Sequence, residues 1–216
     1  MARTADADKL RDNALNELLG ARARYADVRD RHGDDLWPFQ RWVAKMIAAE
    51  VWSIWERYAE DCLAVTLNRS PKEYLASSII LPGPAKSIPL KKAYEVIRSG
   101  RPYFDFRSTA ELQAKANSLL GPVNSPFRTL RSENAEFLDS LAAIRNCIVH
   151  QSEASTKGYR RALTKLFGVK SKPGPEEFLH AKDQRPGSAT RGQHRLLIFI
   201  DKVESAINTC PPRGAA

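Results

Sequence analysis

Disulfide chemistry is the first thing this chain lacks. Its three cysteines, Cys62, Cys147 and Cys210, are odd in number and far apart, and none forms a pair at zinc-ligand spacing. A disulfide framework is excluded, and a reduced, cytoplasmic protein is expected. Cys62 and Cys147 fall in apolar helical runs, where a thiol behaves as a small hydrophobe. Histidine is scarce too: His32, His150, His180 and His194 are the whole supply, with none paired at helical ligand spacing. No carboxylates cluster in the two-metal pattern, so neither a metal nor another cofactor is expected. No apolar run approaches membrane-spanning length, and the stretch from Met1 to Lys9 is charged, without the apolar core of a signal peptide. No membrane partner is therefore expected. Internal repeats and strand-like alternation beyond a few residues are missing as well.

What is present suits one helical domain spanning residues 1–216. The 43% hydrophobic content, with four Trp and eight Phe, can fill a sizeable core. A formal charge of +9 points to a polyanionic partner, nucleic acid first, although a generally basic, soluble surface gives the same number. Residues 1–34 read as a peripheral N-terminal helix, with Leu10, Ala14, Leu18 and Ala21 at helical spacing between Ala5 and Arg31. After His32-Gly-Asp-Asp35, Trp37-Pro38 opens a central helix over 37–68. Its Trp42, Trp52 and Trp55 make it apolar on more than one face, as expected where neighbours or a second subunit pack on both sides.

Prolines 71, 82, 84, 89, 102, 122 and 126 break residues 70–131 into short helices (Lys72 to Ser78, Leu90 to Ser99, Thr109 to Leu120) and loops. This irregular insertion carries Lys86, Lys91, Lys92, Arg98, Arg101, Arg107, Lys115, Arg128 and Arg131, which either face RNA or form a solvated surface. Ser132 then caps a helix over 132–151 with Glu133 and Glu136 in its first turns. The C-terminal part, 156–210, holds a basic helix from Thr156 to Phe167, a Pro/Gly-rich loop over 168–192 and a last helix from Arg195 to Asn208, ended by Pro211-Pro212. His180 and His194, in or beside that loop, are expected at the surface.

The helix over 132–151 carries the most informative string, Leu141-Ala-Ala-Ile-Arg145-Asn146-Cys147-Ile148-Val149-His150. At about 100° per residue, Phe137, Leu141, Ile144 and Ile148 share a core arc, while Asp139, Ala143, Asn146 and His150 share another, with Arg145 on its border. The small Ala142 and Ala143 lie on that side and would admit a second helix. A permanent cation beside an imidazole suits attack of a ribose 2′-hydroxyl on the adjacent phosphate, which needs a base, an acid and positive charge. One His cannot serve as both at once, whereas a symmetric dimer would bring two copies of Arg145 and His150 together. A lone His ending a helix also reads simply as a cap on the helix dipole.

Through Arg145, Asn146 and His150 the sequence resembles the HEPN superfamily, small helical bundles marked by Arg, four to six residues, then His. That resemblance implies an all-α HEPN-like bundle, a homodimer and a metal-independent endoribonuclease that leaves a 2′,3′-cyclic phosphate. It implies catalytic roles for Arg145, Asn146 and His150. The segment from Val51 to Leu63 is similar to the earlier helix of the RiboL-PSP-HEPN branch, which adds Glu56 as a supporting residue. Roles as a toxin or phage-defence effector, with an antitoxin or other regulatory partner, are further implications of the family. HEPN toxins controlled by a nucleotidyltransferase antitoxin carry Tyr two residues after the His, where this chain has Ser152. The alternative is a non-catalytic HEPN-like module that binds RNA, a nucleotide or a protein. Lys157, Arg160, Arg161 and Lys165 follow the motif directly and are expected RNA-backbone contacts, with Tyr159 either stacked on a base or partly buried.

Overall fold

A computed structural model of the chain describes residues 6–31, 37–77, 87–169, 171 and 173–213. These form an all-α fold: α1 Ala7–Arg29, α2 Trp37–Arg69, α3 Lys72–Ser77, α4 Leu90–Arg98, α5 Thr109–Asn124, α6 Ser132–His150, α7 Glu153–Phe167, α8 Pro175–His180 and α9 Arg195–Thr209. Among the described residues there is no strand, only an isolated bridge between Lys182 and His194. His32 and Lys86 lie outside the described residues. No helix among the described residues is long and apolar enough to cross a membrane. Two compact units divide the chain. The first takes Met1–Leu15, Trp55–Arg131 and Ala206–Ala216, the second Asn16–Ile54 and Ser132–Ser205.

In the first unit most of α2 is enclosed by neighbouring elements, with Arg57 exposed. Trp55, Tyr58, Ala59, Cys62, Leu63, Ala64, Val65 and Leu67 are all buried. Trp55 packs edge-on to Phe127, 6.0 Å between centroids, in the short 3-10 turn Pro126–Thr129. The Tyr58 hydroxyl reaches the Ile207 and Cys210 carbonyls at 3.1 and 2.9 Å, supplying a donor where the last turn of α9 runs out of its own. α4 buries Ala93 and Ile97. Its polar face is fastened to α2 by Tyr94, which donates to Asp61 at 2.5 Å, and by Arg98, which donates to Glu60 at 2.6 Å. α5 begins at Ser108, whose hydroxyl accepts from the Glu111 N–H at 3.2 Å. It bends at Gly121 (φ 73°), immediately before Pro122, so the expected end at Leu120 is a kink and not a stop.

The second unit is built on an α6–α7 hairpin. Gln151, at φ 47°, ends α6 in the left-handed region without being a glycine. Ser152 then caps α7: its hydroxyl accepts from the Ser155 N–H, and the Ser155 hydroxyl accepts from the Ser152 N–H. With so short a link the helices run antiparallel. Behind them Phe137, Phe167, Phe178 and Phe199 form a cluster with Phe137–Phe199 at 5.6 Å and Phe167–Phe178 at 5.3 Å, edge to face. Asn134, buried in α6, donates to Ser205 of α9 at 3.0 Å. Arg22 of α1 pairs with Asp201 and Glu204 on α9.

Two expectations about residues 168–192 are corrected. The segment contains α8, and the turn after it is a polar knot and not a plain loop. Asp183, fully buried, receives Arg185 along Nε and Nη2 together with the Ser188 and Thr190 hydroxyls. Those hydrogen bonds outweigh burial and hold its carboxyl below the usual carboxylate range. His180 is 4% exposed and His194 half-buried, so neither is a surface residue. The Tyr25 hydroxyl lies 3.1 Å from His180 Nδ1 and 3.3 Å from His194 Nδ1, and His194 Nδ1 also meets the His180 carbonyl. That carbonyl requires a proton on His194 Nδ1, which leaves Tyr25 to donate to a neutral His180. The partners come from helices too distant in sequence for a histidine count to find.

Burial, seconded by the charges of His194, Arg41 and Arg29, pushes His180 from 6.5 to about 4. The unfolded chain therefore binds more protons between those values, and stability falls as pH drops from about 6.5 to about 4. His180 and its neighbour His194, which is lowered as well, both contribute to this loss. Thermal melts across that range should show a steeper fall for the wild type than for His180→Gln. Parallel curves would show that this histidine is not the acid-sensitive group.

Candidate functional site

The expected site residues of the motif all stand on α6, in the second unit. The buried side of that helix carries Phe137, Leu138, Leu141, Ile144 and Cys147. Opposite them Asp139 and His150 are exposed, with Ala143 and Asn146 half-buried between. Arg145 is half-buried on the border of the two faces, and its Nη1 donates to Asn146 Oδ1 at 3.1 Å. Among the described residues no carboxylate lies within ion-pair distance of Arg145. One turn on, the exposed imidazole of His150 neighbours Asn146. Arg145, Asn146 and His150 thus form a continuous surface strip: an unneutralised guanidinium, an amide that orients it, and an imidazole at the helix end. Ala142 is buried against its own chain, so of the two alanines only Ala143 remains on the outward arc.

The accompanying basic residues divide. Lys157, Arg160 and Arg161 are exposed on α7. Lys165 is paired with Glu136 at 3.1 Å. Glu136 precedes His150 by fourteen positions on one helix, about 21 Å along its axis, so Lys165 belongs to the far end of the hairpin. Tyr159 is buried and its hydroxyl donates to the Pro173 carbonyl at 3.0 Å, which removes it from any stacking surface. Glu56 is half-buried on α2 and belongs to the first unit. Ser152, where a regulatory tyrosine would stand in the resembling toxins, is committed to the α7 cap. All three cysteines are buried and free.

Of the tryptophans on α2, Trp52 and Trp55 are buried while Trp42 is 51% exposed. Phe39, Trp42 and Met46 recur at helical spacing on one exposed face, with the Phe39 and Trp42 rings stacked at 6.1 Å. Near the end of α6, Lys45 of α2 lines a cleft of about 270 Å³ with Cys147, Ile148, Gln151, Thr156 and Glu176.

Two features went unpredicted. In the first unit a cleft of about 550 Å³ gathers Arg57, Glu60, Asp61, Tyr94 and Arg98. Burial raises the Asp61 carboxyl, and the Tyr94 hydrogen bond opposes the rise. With Glu60 held by Arg98 and Asp61 by Tyr94, this cluster docks α4. In the second unit a cleft of about 590 Å³ is lined by Arg185 and Arg195 among Phe167 and Phe178. The spacing of α8 and α9 along the chain carries no signal for this second cleft. Among the described residues no three His, Cys, Asp or Glu side chains group as metal ligands.

Because His150 is exposed and half-buried Asn146 accepts from the adjacent Arg145, His150→Ala and Asn146→Ala should each change stability by no more than about 0.5 kcal/mol. Chemical denaturation checks this; a larger loss would mean the strip serves the fold. Comparison with protein-family models, curated proteins and solved structures found no match.

Proposed function

We propose that this protein is a metal-independent endoribonuclease of the HEPN type, with its active site composed from two protomers. The observation that carries the reading is the α6 strip, in which Arg145, hydrogen-bonded to Asn146 and free of any described carboxylate partner, stands on the border of the face that carries Asn146 and exposed His150. A guanidinium with no carboxylate partner among the described residues is available for a phosphodiester. The strip lies open on a helix surface, and a composite site needs such a surface on each copy.

In this reading the ribose 2′-oxygen attacks phosphorus as one His150 takes its proton, and the 5′-oxygen leaves with a proton from the other His150. The two Arg145 side chains stabilise the charge gathering on the phosphorane oxygens. The products are a 2′,3′-cyclic phosphate and a 5′-hydroxyl end, with no redox change and no net proton consumed. Lys157, Arg160 and Arg161 hold the flanking strand, and Lys165 has no part in it. Action as a toxin or phage-defence effector, under an antitoxin or other regulator, is the setting the family resemblance suggests. The Ser152 cap argues against control through a tyrosine at that position.

The exposed Phe39, Trp42 and Met46 face favours self-association, since a contiguous apolar face on a helix is a contact surface more often than a solvent one. Purified protein should cleave mixed RNA in EDTA, and His150→Ala and Arg145→Ala should each lower the rate by at least about 100-fold. Equal decay in all three samples would refute the site. No decay in any would leave the same strip as a binding module. Sedimentation should give a dimer that Trp42→Glu converts to monomer with loss of cleavage; a fully active monomeric variant would overturn the composite arrangement.

A further inference from the structure

The cleft between α7, α8 and the start of α9 is lined by a guanidinium, that of Arg195, which no described carboxylate pairs. Arg185 and Arg195 both face it, and the two differ in how far their charge is satisfied. Arg185 is consumed: Asp183 takes Nε and Nη2, and the Leu166 carbonyl takes Nη1 at 2.7 Å. Among the described residues the Arg195 guanidinium makes one hydrogen bond, long at 3.4 Å, to the Phe178 carbonyl. Its Nε is sealed from solvent without an acceptor. Among the described residues no carboxylate is within ion-pair distance of it. What holds this guanidinium is aromatic, with Cζ 4.7 Å from the Phe178 centroid and 5.5 Å from that of Phe167.

Burial penalises the Arg195 charge and lowers its pKa, with Asp183 the strongest opposing influence. A half-buried cation without a counter-ion raises the free energy of the empty fold, and an anion entering the cleft recovers that cost. The cleft, about 590 Å³, lies in the size range of small-molecule sites. Ser171 and Gln184 add hydrogen-bonding groups, and Val169, Pro173 and Pro186 add apolar wall. Glu177 also lines it, but is exposed to water.

We propose that this cleft is an anion site that takes a phosphate group, with Arg195 as the charged ligand and Gln184 at its rim. Seated over the two rings, the guanidinium has its Nη groups left to meet phosphate oxygens. The apolar wall accommodates the organic part of a phosphate ester. The site goes beyond the RNA-cleavage reading and does not rest on it, because it is measured by binding alone.

The test is thermal unfolding of the full chain in chloride-matched buffer with inorganic phosphate, AMP, adenosine or a ten-nucleotide RNA. At tenfold excess over Kd, phosphate and AMP should raise Tm by about 3–6 °C, and adenosine should not. Competition of the RNA with AMP would assign the phosphate to a nucleic-acid strand; its failure to compete would assign it to a free nucleotide. Arg195→Met, which keeps the stem over the rings, should abolish the shift. Gln184→Glu, an exposed position outside the core, should weaken AMP binding at least tenfold and decides the matter where Arg195→Met does not fold. Unchanged binding in both variants, equal effects of AMP and adenosine, or no shift in the wild type would each overturn the proposal.

Discussion

Four phenylalanine rings, Phe137, Phe167, Phe178 and Phe199, hold α6, α7, α8 and α9 of the second unit in register. Each buried ring contributes about 2–3 kcal/mol relative to exposure. Their edge-to-face contacts also fix angles that area burial alone leaves free. Once Phe137 faces that cluster, the period of α6 turns Asn146 and His150 outward and leaves Arg145 on the border. The same rings receive Arg185, Arg195 and Lys202 on their faces. One hydrophobic arrangement thus positions the catalytic strip proposed on one helix and the charged cleft between three others.

The polar interior follows a consistent economy. Buried donors and acceptors are placed where helix ends leave backbone groups without partners: Tyr58 at the end of α9, Gln40 at the carbonyls that end α1, Tyr159 at Pro173. Asp183 accepts from five donors on residues within seven positions of it, which lets the connection into α9 turn inside the fold without a regular element. Not every buried group is satisfied, as Trp55 Nε1 and Arg195 Nε show, and the two proposed sites are built on Arg145 and Arg195. Both are guanidiniums that the described residues leave without a carboxylate, one at the surface and one in a cleft.

The basic residues of the Pro-rich segment show how charge read from sequence overstates availability. Arg98 is paired with Glu60, Lys92 with Glu95, and Lys115 lies over the Phe104 ring. On α7 the same sorting separates Lys165, bound to Glu136, from Lys157, Arg160 and Arg161. A count of lysines and arginines adds these equally, because the acids that neutralise Arg98 and Lys165 stand on other helices.

The sequence by itself determined the all-α class, the bounds of α2, α6 and α9 to within a residue or two, and the face of α6 that carries Asn146 and His150. These depend on a 3.6-residue period and on caps and prolines, all of them local. It also marked the Gly121-Pro122 interruption, though as an end and not a bend. Only the tertiary structure decided the burial of His180 and His194 around Tyr25, the loss of Tyr159 to the core, the exposure of Trp42 beside buried Trp52, and the cleft around Arg195. Each of these depends on which helix lies across a given side chain. That is set by packing between residues as far apart as Tyr25 and His180, and no periodicity within a single helix encodes it.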